Sequence, residues 1–163
     1  TPNAVVVHIG CGMDSRVIRI GNQNHKWYDV DFPEVIEERK RYYDETDGYQ
    51  MIAEDVRDCS WLTAIKETNS AIVVMEGVSM YLTPNEMQNF ADSLCANFES
   101  LVLLVDCYTS FAARMSKIRN PIKDVGVTKV YGIDNPQFYQ TESFSFVKEL
   151  CISADSNNSL LLN

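Results

Sequence analysis

The chain has no apolar run that approaches the roughly 18 residues of a membrane span. Runs such as Leu101 to Val105 are strand length. Basic residues are scarce, with 14 Lys and Arg against 23 Asp and Glu and a net charge of -9. A phosphate-binding face needs clustered positive charge, so nucleic acid is not the expected partner. An anionic membrane surface is disfavoured for the same reason. Cysteine is sparse and unpatterned: Cys11, Cys59, Cys95, Cys107 and Cys151 are odd in number and never form a C-x-x-C pair. That excludes a disulfide framework and a zinc site, and it fits reduced thiols in a cytoplasmic protein. The two histidines, His8 and His25, belong to no Ser/His/Asp or Cys/His constellation. His8 is expected to pack in the core and His25 to be solvated. No signal peptide opens the chain, and it begins at Thr1 rather than Met, as a fragment or processed chain would.

What remains is one domain's worth of residues, 163 in all, with 45% hydrophobic and 23% charged. No repeat, low-complexity block or linker divides it, so residues 1–163 read as one domain. Ala4 to Ile9 is a continuous, mostly β-branched run, as expected of a strand buried on both faces. Gly10 to Ser15 is a turn, with a short helix from about Ser15 to Gly21. Lys26 to Phe32 reads as a second strand. Pro33 opens a helix expected to reach about Glu45, with Glu37 and Arg41 paired on its wet face. Tyr49 to Val56 is a third strand, and Cys59 to Glu67 is helical. Ser70 to Glu76 is a fourth strand. Thr83-Pro84-Asn85-Glu86 is a capping box, and the helix behind it repeats Met87, Phe90, Ala91, Leu94, Cys95 and Phe98 on one face. Leu101 to Asp106 is a fifth strand, followed by a helix from Ser110 to Lys117. Beyond it, Val127 to Tyr131 and Phe144 to Ile152 are strand-like, Asn135 to Gln140 reads as a short helix, and Asp155 to Ser159 as a polar tail.

Strands alternating with helices specify an α/β fold: a Rossmann-like, doubly wound, mostly parallel sheet. Ligands of such sheets bind beyond the carboxyl ends of the strands. Gly10-x-Gly12 follows strand one, where glycine permits a sharp turn and close approach to a ligand. The third glycine of the dinucleotide fingerprint is missing, because Ser15 stands in its place. Asp29 and Asp31 close strand two about 20 residues further on, where an acid can accept ribose hydroxyls. Asp31, directly at the strand end, is the better placed, and capping the helix before Pro33 is its other open role. Glu54 and Asp55 end strand three, Glu76 strand four and Asp106 strand five. Acids in register along one sheet edge suit a ligand with hydroxyls, an amine and a positive centre. Tyr81 and Tyr108 lie past strands four and five and could line an acceptor pocket or simply pack. Trp61, Tyr42 and Tyr43 read as packing residues.

Val7-His-Ile-Gly-Cys-Gly-Met-Asp-Ser-Arg16 resembles the first motif of the leucine carboxyl methyltransferase family, the group that also holds polyketide O-methyltransferases of the tetracenomycin type. Tyr28 to Pro33 is similar to its second motif, Ala53 to Asp58 with Trp61 to its third, Glu76 to Leu82 to its fourth, and Gly132-Ile-Asp134 to a later glycine-containing segment. The resemblance runs from about Ala4 to Ile152. It implies a class I methyltransferase fold that uses S-adenosyl-L-methionine. Carried over, Gly10 brings the backbone to the methionine part, with Gly12 and Arg16 also among the cofactor-binding positions. Asp31 holds the ribose, Asp55 the adenine amine, Val56 supports the ring, and Glu76 closes the amino-acid end. No role carries over to Asp106. The implied reaction transfers a methyl group to a carboxylate or hydroxyl oxygen of a small-molecule or polyketide-like acceptor. No catalytic base and no metal site is assigned. His8, Ile9 and Cys11 depart from the usual residues of the first motif. The family also carries a helical segment before the first strand and a closing antiparallel strand. Relative to it, the chain is expected to be truncated at both places; if the protein itself lacks the first segment, it would bind the cofactor without catalysing. A nicotinamide-dependent oxidoreductase is the other reading of such a sheet, and the absent glycine and the Asp55 site speak against it.

Overall fold

The β-branched and aromatic runs form the strands expected of them. In a computed structural model, the described residues are 4–20, 25–116, 130–135, 137, 140 and 144–149. Their strands are β1 (Val5–Ile9), β2 (Trp27–Asp31), β3 (Tyr49–Ala53), β4 (Ser70–Met75) and β5 (Ser100–Val105). The helices are α1 (Arg16–Ile20), α2 (Pro33–Arg39), α3 (Pro84–Asn97) and α4 (Ser110–Ser116). All strand pairs are parallel, in the order β3-β2-β1-β4-β5. The chain winds outward from β1 to β3, then crosses to the other side of β1. That reversal places the switch point between β1 and β4, as the alternating sequence pattern requires.

The pleat sorts β1 into two environments. Val5, Val7 and Ile9 share a face with Tyr28, Val30, Val73 and Met75. Met87, Phe90 and Leu94 of α3 cover this face together with Trp61 and Leu62. Each such side chain contributes roughly 1.5–3 kcal/mol by burial. The α3 start is as the sequence predicts: Thr83 Oγ1 accepts from Glu86 N at 3.2 Å, and Glu86 Oε2 accepts from Thr83 N at 2.7 Å. Thr83→Ala is expected to lower stability by about 1 kcal/mol, read as a lower urea midpoint with an unchanged slope.

The opposite face of β1 carries Val6 and His8 and is covered by α1 and α2, with Cys11, Val17, Trp27, Ile36, Tyr49 and Met51 packed together. Here α2 departs from expectation. It ends at Arg39 rather than near Glu45. Arg39 is fully buried and turns inward to Asp29, with Nη2 2.6 Å from Oδ2. The chain then bends so that the Tyr43 ring lies 4.2 Å from the guanidinium. With the helix ended, Arg41 pairs with Glu38 at 2.8 Å instead of Glu37. Trp61 packs in the core as expected, while Tyr42 is exposed.

Other boundaries shift by a residue or two. Cys59–Ala64 is a 3₁₀ helix capped by Asp58, shorter than the helix expected to Glu67, and Ser79–Tyr81 adds a second short 3₁₀ turn. The strand expected over Phe144 to Ile152 is absent from its described part: residues 144–149 are mostly exposed and meet no neighbouring strand among the described residues. Of Val127 to Tyr131, Val130 and Tyr131 are not in a strand, and the rest lies outside the described residues, as does the tail at Asp155 to Ser159. The short helix expected at Asn135 to Gln140 is described only in part, where Gln140 N donates to Gln137 O at 3.0 Å. Gly132 packs against the start of α4, where any Cβ would meet the Ser110 backbone at 2.6 Å. Asp134 Oδ1 accepts from Ser110 N at 2.7 Å.

Candidate functional site

The parallel register levels the carboxyl ends of the central strands. Ile9, Met75 and Val105 lie side by side, so Gly10, Glu76 and Asp106 emerge on one edge. Between them opens a cavity of about 400 Å3, lined by His8, Gly10, Asp14, Arg16, Glu76, Gly77, Met80, Asp106 and Tyr108. Gly10 has φ +64°, and a Cβ there would stand 2.2 Å from Val78 Cγ2. The turn therefore requires glycine on two counts. Gly12 (φ +48°) completes the bend.

Asp31 is joined directly to this turn. Its Oδ2 accepts from Gly12 N at 2.8 Å and its Oδ1 from Phe32 N at 2.8 Å. The capping role is not what it takes: the N-cap of α2 is Phe32, with no side-chain cap. A carboxylate has about four acceptor positions, so two amides leave Asp31 capacity for ligand hydroxyls.

Arg16, at the start of α1, reaches back across the cavity. Nη2 donates to Glu76 Oε2, and Nη1 meets His8 Nε2 at 3.3 Å. Asp14 braces it, with Oδ1 accepting from Arg16 N at 2.6 Å. Asp106, without a role until now, holds the β4 exit: its Oδ2 accepts from Gly77 N at 2.9 Å, and its main-chain oxygen accepts from Ser79 Oγ. Of the residues expected at the site, Gly10, Arg16 and Glu76 thus line one cavity, and Gly12 and Asp31 border it through the turn. Asp55 and Val56 lie beyond Asp31 at the end of β3, outside the cavity lining. Asp55 is gripped by Arg57, whose hydrogen bonds hold its carboxyl below the usual carboxylate range despite partial burial. Val56 packs at the core margin.

Sequence reasoning missed the polar cluster beneath the turn. Asp29 Oδ2 accepts from Tyr49 OH at 2.6 Å and Arg39 Nε at 2.9 Å; Oδ1 accepts from Trp27 Nε1 at 2.7 Å. Arg39 Nη1 donates to Gly12 O at 2.9 Å, linking the cluster to the turn. Burial alone would raise the Asp29 carboxyl, but neighbouring His8, the bonds from Tyr49 and Trp27 and the Arg39 charge outweigh it and lower it. The available signal was an aspartate inside an otherwise apolar strand, which has to be paired. Cys11 is buried; burial, then the Asp29 charge, push its thiol up, so it is no nucleophile. His25 is less free than expected: its Nδ1 lies 3.0 Å from Ala4 O. None of the described cysteines forms a disulfide, no described cluster could hold a metal ion, and no described helix is long and apolar enough to cross a membrane.

The strand order, with the glycine turn after β1, is that of a Rossmann-like sheet, and solved class I S-adenosylmethionine-dependent methyltransferases share this fold. An O-methyltransferase family protein from Burkholderia thailandensis superposes with a TM-score of 0.54 over 83% of this chain and 43% of that one, at 12% identity. LepI, solved in complex with SAM, superposes with a TM-score of 0.52 over 78% of this chain and 34% of that one, at 15% identity. Residues 3–95 match the leucine carboxyl methyltransferase family, and the chain belongs to it. It is similar to the tetracenomycin polyketide synthesis O-methyltransferase TcmP of Streptomyces glaucescens, with 34% identity over 137 residues, 83% of this chain and 51% of that protein. It is 24% identical over 152 residues to the S-adenosyl-L-methionine-dependent methyltransferase dpfgK of Gibberella zeae, covering 85% of this chain and 51% of that protein. The chain spans about half the length of the curated relatives it matches.

Proposed function

We propose that this chain is the S-adenosyl-L-methionine-binding domain of an O-methyltransferase acting on a carboxylate or hydroxyl oxygen of a small, polyketide-like acceptor. The observation that carries this is Asp31, fixed by the Gly12 amide at the mouth of the glycine turn. A carboxylate held there by the backbone keeps its remaining lone pairs aimed beyond the sheet, where ribose hydroxyls can donate to them. The other positions fit the same molecule. The opposed charges of Arg16 and Glu76 complement the carboxylate and ammonium of an α-amino acid. Asp55 and Val56 at the next strand end offer an acceptor for the adenine amine and an apolar edge for its ring. When bound, the cofactor supplies a methyl group on a positively charged sulfur. The chain's own part is to orient that group toward the cavity side lined by Met80 and Tyr108, which would receive the acceptor.

The lining also bears on the acceptor. His8 Nε2 is engaged by Arg16, and at Tyr81, which unlike Tyr108 lies outside the lining, burial, then the charges of Tyr108 and Asp106, push the hydroxyl up. Neither is set to take a proton, which favours an acceptor that arrives already ionised, such as a carboxylate. The described cysteines, all free, are in keeping with a cytoplasmic setting. Asp31→Ala is expected to weaken S-adenosylmethionine binding by about 1–3 kcal/mol, measured by titration calorimetry. An unchanged affinity would remove Asp31 from the site.

A further inference from the structure

His8 belongs to two places at once. It is 2% exposed and sits in the buried face of β1, yet its outer edge lines the cavity. The register explains this: His8 pairs with Asp29 on β2, and it is the last residue of that face before the strand ends. Its Nδ1 stands 3.5 Å from Asp29 Oδ1, and the edge of Trp27 meets its ring at 6.3 Å between centroids. Its Nε2 faces Arg16 Nη1 at 3.3 Å. A guanidinium can only donate, so Nε2 must be the acceptor and the ring proton sits on Nδ1, toward Asp29.

Arg16 has two other partners, Asp14 and Glu76, and both are carboxylates with partly or largely exposed side chains. Both bring negative charge to the guanidinium, and their exposure lets them swing with it. His8 differs on both counts: it is neutral, and the sheet fixes it. An acceptor of this kind sets the direction of Arg16 without cancelling the charge that an incoming anion needs. We propose that His8 is a positioning residue that aims Arg16 at the α-carboxylate of the cofactor's amino-acid end. This rests on the cofactor reading above and extends it to a residue that touches Arg16 rather than the ligand.

The test is titration of the full chain with two ligands that share the adenosine part. S-adenosylhomocysteine carries the amino-acid end, and 5′-methylthioadenosine lacks it. In His8→Leu, the affinity for S-adenosylhomocysteine should fall about tenfold, as for a lost hydrogen bond to a charged group, while that for methylthioadenosine stays as in the wild type. His8→Gln, whose side-chain carbonyl can accept in place of Nε2, should recover most of the loss. Unchanged S-adenosylhomocysteine affinity in His8→Leu would overturn the proposal. So would an equal loss for both ligands, which marks a general role in folding, or a His8→Gln variant no better than His8→Leu. A wild-type chain that binds neither ligand would overturn the cofactor reading itself and this proposal with it.

Discussion

Arg39→Met is expected to destabilise the fold by about 3–5 kcal/mol, the usual cost of removing one partner from a buried ion pair. Arg39 and Asp29 are both fully buried, so the substitution leaves a carboxylate with no water and no counter-charge. Methionine fills much of the volume, which separates the charge effect from a cavity effect. The loss of the Arg39 bond to Gly12 O also frees the glycine turn, so ligand affinity should fall with stability. The pH dependence gives a second reading. The Asp29 carboxyl is lowered in the folded protein. Its contribution is therefore present above the unfolded value of about 4 and is lost as pH falls through the folded one. In Arg39→Met the stranded carboxylate gains from protonation instead. The gap between wild type and variant should narrow as pH drops from 7 toward about 4, followed by guanidinium unfolding. A gap that stays constant would mean that Asp29 and Arg39 do not depend on each other.

Gly10→Ala should be the next most damaging change. The positive φ costs an L-residue roughly 1–2 kcal/mol. The added methyl meets Val78 Cγ2 at 2.2 Å, which forces the β4 exit to move at a further cost of about 1–3 kcal/mol. Val78 directly follows Gly77, which Asp106 holds, so the shift passes into the cavity wall. Gly10→Ala is expected to lower the unfolding midpoint and to weaken cofactor binding together. The double variant with Val78→Ala should recover part of the stability by removing the clash, while the φ cost remains. If the single variant matches the wild type in both measurements, the turn is not the constrained element described above.

Most of the fold was legible because its signals are local. The Thr83 and Glu86 capping box needs only four successive residues, and it formed as read. The strand-end acids followed from strand order alone, since parallel strands level their carboxyl ends. What escaped depends on contacts distant in sequence. Nothing around Arg39 tells that it will leave a helix surface for Asp29, ten positions earlier and on a neighbouring strand. The shortened α2 and the Glu38 pairing of Arg41 follow from that one contact. His8 was expected as a packed core residue, and it is one. Its second contact, to Arg16, is made possible by the glycine turn, which brings α1 back over β1. Residues 144–149 have strand-like composition, but composition alone does not make a strand, and none of the described strands pairs with them.

The most direct test of the central claim is a calorimetric titration of the chain with S-adenosyl-L-methionine and, separately, with NAD. A site built from Asp31, the glycine turn and the Arg16–Glu76 pair should bind S-adenosyl-L-methionine with one-to-one stoichiometry and release no binding heat with NAD. Binding of NAD in preference, or of neither nucleotide, would contradict it.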